Sequence, residues 1–228
     1  MKRSEINAAL REMEAMCARC GFSLPPFCRL RPEEWPGLGH EWDEVRDCRL
    51  GWDITDYGLE DFAHVGFSLI TLRNGCAAKP EAYPKAYAEK LLYLREGQTA
   101  PNHFHWYKRE DIINRGGGNV LIQVWNSLPD ESLDRRGDVT VSTDGVRRTL
   151  PAGTRVRLKP GESITIHQGL YHDFTLEPGT GPVLLGEVSM VNDDERDNRF
   201  LPPVGRFPKI LEDEAPYRLL CSEYPPAP

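Results

Sequence analysis

What the chain lacks narrows it first. No run of apolar residues is long enough to span a bilayer, and Met1-Lys2-Arg3-Ser4-Glu5 leads into an amphipathic stretch rather than an apolar leader. The expected compartment is therefore the cytoplasm. No basic cluster is longer than Arg135-Arg136 or Arg147-Arg148, and 28 Lys and Arg against 35 Asp and Glu leave a net charge of −7. Nucleic acid and anionic membranes bind through clustered cations, so neither is an expected partner. No repeat of solenoid length and no low-complexity tract is present. The six cysteines, at 17, 20, 28, 48, 76 and 221, follow no secretory leader and read as thiols rather than as a disulfide framework. Cys17-Ala-Arg-Cys20 and Cys28 lack a fourth zinc ligand at finger spacing, and Cys17 and Cys20 fall on an apolar helix stripe, so core thiols are expected there.

The composition that remains, 228 residues with 39% hydrophobic and 28% charged, is that of a globular domain with room for a terminal extension. Residues 4–20 predict a helix, with Ser4 as N-cap, Ile6, Leu10, Met13, Cys17 and Cys20 on one face, and Gly21 as the stop. That face must dock on the main domain or on a second subunit. Residues 31–62, with Trp35, Trp42 and Trp52, lack a clean period beyond a short helix at Pro32-Glu33-Glu34-Trp35 and read as an arm with little regular structure. Asp53, Asp56, Glu60 and Asp61 read as a solvated acidic loop, and His40 and His64 as surface or structural residues.

From residue 63 the pattern turns to strands: 65–72, 87–94, 104–107, 120–125, 138–142, 146–150, 154–158, 163–166, 172–176 and 183–188. Asp144-Gly145 is the strongest hairpin signal. Many short strands punctuated by Gly and Pro predict an all-β sandwich or barrel. The tail from Asn192 is charged and Pro-rich and is expected to wrap the surface. The organisation predicted is an N-terminal helix and arm (1–62), a barrel (63–190) and a wrap belonging to the same domain (191–228).

Two stretches carry chemistry. In Gly97-Gln-Thr-Ala-Pro-Asn-His103-Phe-His105-Trp-Tyr-Lys-Arg-Glu110, residues i and i+2 of an extended strand share a face, so His103 and His105 reach one point, and a chain that turns back can bring Glu110 to it. Two imidazoles and a carboxylate suit a divalent first-row ion. A hydrogen-bonded core pair accounts for the same residues taken alone. The second stretch, Gly161-Glu-Ser-Ile-Thr-Ile-His167-Gln-Gly169-Leu-Tyr-His172, follows a strand–turn–strand unit.

Together these stretches resemble the paired motifs of the cupins. His167 stands where the second motif usually has proline and Leu176 where it has asparagine, and neither change removes a ligand. The resemblance implies a double-stranded β-helix (jelly-roll) barrel with His103, His105, Glu110 and His172 as metal ligands. Three imidazoles and one carboxylate leave about two positions open on a six-coordinate ion, which suits catalysis. Mn²⁺ is the ion expected, with Fe²⁺, Co²⁺ or Zn²⁺ as alternatives. Over nearly its full length, through Ala86-Tyr-Ala-Glu-Lys90, Pro101–Lys108, Ile166–His172 and Gly186–Asp193, the chain also resembles the bacterial D-lyxose isomerases. That resemblance implies a manganese-dependent aldose–ketose isomerase acting on D-lyxose and D-xylulose and on D-mannose and D-fructose, and a homodimer.

On this reading Glu187 is the general base, Lys90 a cation that stabilises the developing oxyanion or positions the sugar, and Asp193 an aid to proton transfer between oxygens or a holder of a sugar hydroxyl. Glu187 and Lys90 can equally form a buried ion pair. Trp106, Lys108, His167 and Arg199 are expected to contact the sugar, although Trp106 also fits a core and His167 a turn. The competing functions are a sugar-phosphate isomerase with Arg199 and Arg206 as phosphate seat, an Fe²⁺ dioxygenase, and a sugar-binding domain without catalysis.

Overall fold

The computed structural model describes residues 1–194 and 196–228. Helix α1 (Arg3–Arg19) and the short α2 (Asp43–Asp47) precede or flank thirteen strands. These are β1 (Gly51–Thr55), β2 (Phe67–Arg73), β3 (Tyr87–Leu94), β4 (Thr99–Phe104), β5 (Glu110–Gly117), β6 (Val120–Asn126) and β7 (Val139–Thr143). They continue as β8 (Val146–Leu150), β9 (Thr154–Leu158), β10 (Ser163–Ile166), β11 (Leu170–Leu176), β12 (Val183–Met190) and β13 (Arg199–Phe200). They form an eight-stranded sheet, β1-β2-β3-β12-β5-β10-β7-β8, and a five-stranded sheet, β13-β4-β11-β6-β9, with every pairing antiparallel. This is the all-β jelly-roll barrel of the cupin type, with the predicted N-terminal helix.

Side-chain parity explains the apolar runs. In β2, β3 and β12 alternate residues point to opposite faces, and here both faces are covered. Leu69, Leu92, Leu94, Val183 and Leu185 join Ile112, Ile122, Ile164 and Phe174 between the sheets. Ile70, Leu91, Tyr93 and Leu184 point the other way, onto Ile6, Leu10, Met13 and Cys17 of α1. The apolar face of α1 is thus consumed within its own chain. Burying each large apolar side chain contributes about 1.5–3 kcal/mol, which fixes the helix firmly on the outside of the large sheet. Cys17 and Cys28 are buried in this second core, and all six cysteines are free.

Four local expectations need correction. The N-cap of α1 is Lys2, whose amide donates to Glu5 at 2.7 Å, while Ser4 bonds Asp213. The arm is not irregular throughout. It holds two short 3-10 turns, α2 and β1, and β1 pairs with β2, so the large sheet begins at Gly51 rather than near residue 63. Gly51-Trp-Asp-Ile-Thr55 was too short and too acidic to stand out, but its edge position and the helix over it supply what propensity did not. Asp53 and Asp56 are buried, so only Glu60 and Asp61 keep the solvated role. The strand expected at 104–107 is β4, which ends at Phe104, and His105 therefore lies in the loop beyond it.

The Asp144-Gly145 turn forms as expected. Both residues have positive φ, 50° and 79°, and join β7 to β8. The C-terminal segment does wrap the surface. Arg3 reaches across to Glu212 and Glu223, and Trp35 stacks on Tyr224 with centroids 3.7 Å apart. No helix among the described residues is long and apolar enough to cross a membrane.

Candidate active site

The site lies between the two sheets at one end of the barrel, and strand parity decides which side chains enter it. On β3, Lys90 shares the inward face of Leu92 and Leu94, and on β12 Glu187 shares that of Val183 and Leu185. Their backbones are directly paired in register, as are those of Ser189 and Glu110. The small sheet supplies His103 from β4 and His172 from β11, also paired in register. The loop from β4 to β5 crosses between the sheets and carries His105 and Lys108.

The three histidines are buried, and each has its Nδ1 on a backbone carbonyl: Pro101 for His103 at 2.8 Å, Asp197 for His105 at 2.7 Å and Leu170 for His172 at 3.0 Å. A carbonyl can only accept, so each Nδ1 carries a proton and each Nε2 is the ring nitrogen left to face a ligand. Burial first, then His172 and His105, push the His103 imidazole well below its ordinary pKa and keep it neutral. The three ligand atoms lie within 4.8 Å of one another. Glu110 Oε1 is 3.2 Å from His172 Nε2 and 3.5 Å from His105 Nε2, yet neither nitrogen makes an aligned hydrogen bond. Three buried imidazoles around one carboxylate, two of them with an Nε2 that makes no hydrogen bond, fit a divalent first-row ion, and a plain core would not leave them so.

From Glu110 a ladder of alternating charge runs through the pocket. Lys108 Nζ is 2.7 Å from Glu110 and 2.8 Å from Glu187. Lys90 Nζ is 3.6 Å from Glu187 and 3.6 Å from Asp194. Arg206 Nη2 is 3.1 Å from Asp194 and 2.6 Å from Asp53. Burial opposes charge on Lys108, but Glu110 and Glu187 outweigh it and hold the ammonium above its ordinary pKa. Burial likewise opposes charge on Glu110 and Asp194. Lys108 and His105 outweigh it for Glu110, and Lys90 and Arg206 for Asp194, so both carboxyls sit well below their ordinary range. Tyr57, Phe67, Leu69, Phe174 and Phe200 form the apolar walls.

The structure thus brings His103, His105, Glu110, His172, Lys90, Lys108 and Glu187 together. It does not bring in the others. His167 is half-buried with its Nδ1 on the Gln168 carbonyl, the turn role rather than a sugar contact. Trp106 is over a third exposed and donates to Glu131, which also pairs with Arg199, so both are tied to the polar connection at the rim and neither lines the pocket. Asp193 lines a neighbouring cavity with Asp47, Cys76 and Arg196, whereas Asp194, one residue on, reaches the site. The buried ion-pair arrangement of Lys90 and Glu187 is present, but extended into the ladder. Sequence reasoning missed Asp53, Asp194 and Asp197. Asp197 is buried and accepts from the Tyr107 and Lys108 amides at 2.8 Å each, while its carbonyl orients His105. The alternation in β1 was the available signal for Asp53, and nothing local marked Asp197.

A family model described as D-lyxose isomerase matches residues 1–224. A D-lyxose/D-mannose isomerase of Serratia proteamaculans is 50% identical over 226 residues, covering 98% of each chain. One of Escherichia coli O157:H7 is 49% identical over 225 residues, again 98% of each. Among solved structures, the Cellulomonas parahominis L-ribose isomerase with L-ribose matches with a TM-score of 0.59 at 17% identity, over 92% of this chain and 98% of that one. The L-ribose isomerase of Geodermatophilus obscurus gives 0.58 at 16%, over 92% and 98%. At such identities the structural likeness is one of fold.

Proposed function

Because the chain belongs to the D-lyxose isomerase family and is a sugar isomerase, we propose that it interconverts D-lyxose with D-xylulose and D-mannose with D-fructose. The observation that carries this reading is the cluster of three buried histidines beside Glu110, in which the Nε2 atoms of His105 and His172 make no hydrogen bond, next to a Glu187 carboxylate that faces two ammonium groups. His103, His105, Glu110 and His172 would hold a divalent ion, Mn²⁺ being the ion proposed. Such an ion would supply a Lewis acid for two adjacent sugar oxygens.

The chain's own residues perform the transfer. The Glu187 carboxylate takes the proton from C2 of the aldose and returns it to C1, while the proton of the C2 hydroxyl ends on O1. Lys90 and Lys108, each within 3.6 Å of Glu187, face the negative charge that develops on the sugar oxygens. Phe67, Phe174 and Phe200 exclude water from the reacting carbons. Asp194 takes the auxiliary place expected of Asp193, which lines a different cavity.

The charge pattern disfavours a sugar phosphate. Lys90, Lys108 and Arg206 are the cations among the described residues of the pocket, and each already faces two carboxylates. Ladder and ligands together suit a polyhydroxylated substrate better than the aromatic or thiol substrate of a dioxygenase. The proposed setting is a cytoplasmic homodimer. The apolar face of α1 is buried within its own chain and is not available to it, and Tyr87, Val188 and Met190, exposed on the outer face of β3 and β12, are proposed as part of the interface. Light scattering of Met190→Glu tests it, and an unchanged dimer mass counts against this surface.

Chelator-treated protein should lose isomerisation of D-lyxose and D-mannose, and Mn²⁺ should restore it. Glu187→Gln should retain bound metal yet lose about 10²–10⁴ in turnover, the usual contribution of a general base. Near wild-type turnover in that variant, or full activity after verified metal removal, would overturn the assignment.

A further inference from the structure

The far end of the ladder carries a donor with no acceptor among the described residues. Arg206 lines the same cavity as His103, His105 and Glu110. Its Nη2 is held by Asp53 at 2.6 Å and Asp194 at 3.1 Å, and its carbonyl accepts from Thr55 Oγ1 at 2.5 Å. Asp53 is itself fixed through its other oxygen by the Ile54 amide at 2.7 Å. Arg206 Nη1, in contrast, is buried and makes no hydrogen bond among the described residues. An unsatisfied buried guanidinium nitrogen is costly. A fold that pins the rest of the group and leaves this one donor bare beside a cavity has prepared it for something arriving from outside. The same signature, a buried nitrogen with no hydrogen bond, marks His105 and His172 at the opposite end of the pocket.

Resting on the aldose–ketose reading above, we propose that Arg206 is a specificity-determining residue for the sugar chain. Its Nη1 donates to a hydroxyl beyond C3 of the open-chain substrate, with the Asp194 carboxylate beside it as acceptor for that hydroxyl's proton. The order of groups sets this placement. The histidines and Glu187 act on C1 and C2, and Arg206 lies beyond Glu187, Lys90 and Asp194 along the ladder. The partners set the chemistry. A guanidinium already facing two carboxylates has little charge left for an anion, whereas one free N–H next to a carboxylate oxygen matches a hydroxyl, which both accepts and donates. Arg206 therefore reads the length and hydroxylation of the substrate without taking part in proton transfer.

The test compares the metal-loaded wild type with Arg206→Met on D-lyxose and on its 4-deoxy and 5-deoxy analogues. A hydrogen bond from a charged donor amounts to about tenfold to a hundredfold in kcat/KM. The wild type should lose that factor on one of the two analogues. Arg206→Met should lose it on D-lyxose and distinguish sugar from analogue by less than about threefold, within the scatter of such measurements. Arg206→Lys, which keeps the charge but lacks Nη1, should also lose the discrimination, and it stands in if the methionine variant does not fold. A purely structural role would lower all three substrates alike and leave the ratio intact, which overturns the proposal. So does a wild type indifferent to both deoxy positions. A wild type inactive on D-lyxose would instead refute the functional reading beneath it.

Discussion

Lys108 is the point where the site's electrostatics can be tested most sharply. Its ammonium sits 2.7 Å from Glu110 and 2.8 Å from Glu187, and all three residues are 5% exposed or less. Lys108→Met keeps an unbranched chain of similar reach but removes the charge, leaving two buried carboxylates facing each other. Removing one partner of a buried ion pair costs about 3–5 kcal/mol, and at about 1.4 kcal/mol per decade that is roughly 10²–10⁴ in the folded-to-unfolded ratio. For a domain of this size the melting temperature should fall by about 6–20 °C. The assay is denaturant and thermal unfolding of chelator-treated protein, so that no ion substitutes for the ammonium.

The sign of the pH dependence follows. Without Lys108, burial pushes the Glu110 carboxyl upward, and a carboxyl raised in the folded state destabilises as pH rises through its folded pKa. The deficit should therefore be larger at pH 8 than at pH 5. Glu187→Gln in the Lys108→Met background should restore part of the loss by removing one of the two charges. A variant within about 1 kcal/mol of wild type across that range, inside the effect of an ordinary surface substitution, would refute the account. So would a double variant no more stable than the single.

Two further outcomes follow from the same physical chemistry. Leu10→Ala, at a fully buried position where α1 meets β2 and β3, should cost about 2–5 kcal/mol in denaturant unfolding with the metal site unaffected; a cost below about 1 kcal/mol would mean that the helix is not docked as described. Asp194→Asn removes a carboxyl held well below its ordinary range by Lys90 and Arg206 against burial. The stability that carboxyl contributes is complete above its unfolded pKa of about 3.9 and is lost only as pH falls through its lower folded value. Wild type and variant should therefore differ most at neutral pH and converge in acid titration; a constant difference would contradict the pairing.

How much of this was legible in the chain depends on the range over which each feature is decided. The strands, the Asp144-Gly145 turn, the helix and the histidine pair are specified by local periodicity and spacing, and they are present, shifted by a few residues at their ends. Lys90 and Glu187 were also readable, because parity along a strand fixes the face once Leu92 and Leu185 are known to point inward. Lys108 was expected at the sugar, but its place between two carboxylates depends on a loop crossing from one sheet to the other. Asp193 and Asp194 show the limit most plainly. They are adjacent, identical in type and in an irregular segment, where no period says which one faces in. That choice is made by Lys90 and Arg206, whose positions are set by β3 and by the tail's contact with β1. His167 and Trp106 fail for the same reason: proximity in sequence to a ligand does not orient a side chain when a backbone carbonyl or Glu131 offers it a nearer partner.

By itself, then, the sequence determined a β-barrel with an amphipathic helix and a pair of histidines on one strand face, because alternation, helical spacing and turn chemistry act over a few residues. Only the tertiary structure decided the ladder from Glu110 to Asp53 and the bare donor of Arg206. Buried charges must find partners wherever the fold supplies them, and those partners lie up to 153 residues apart in the chain.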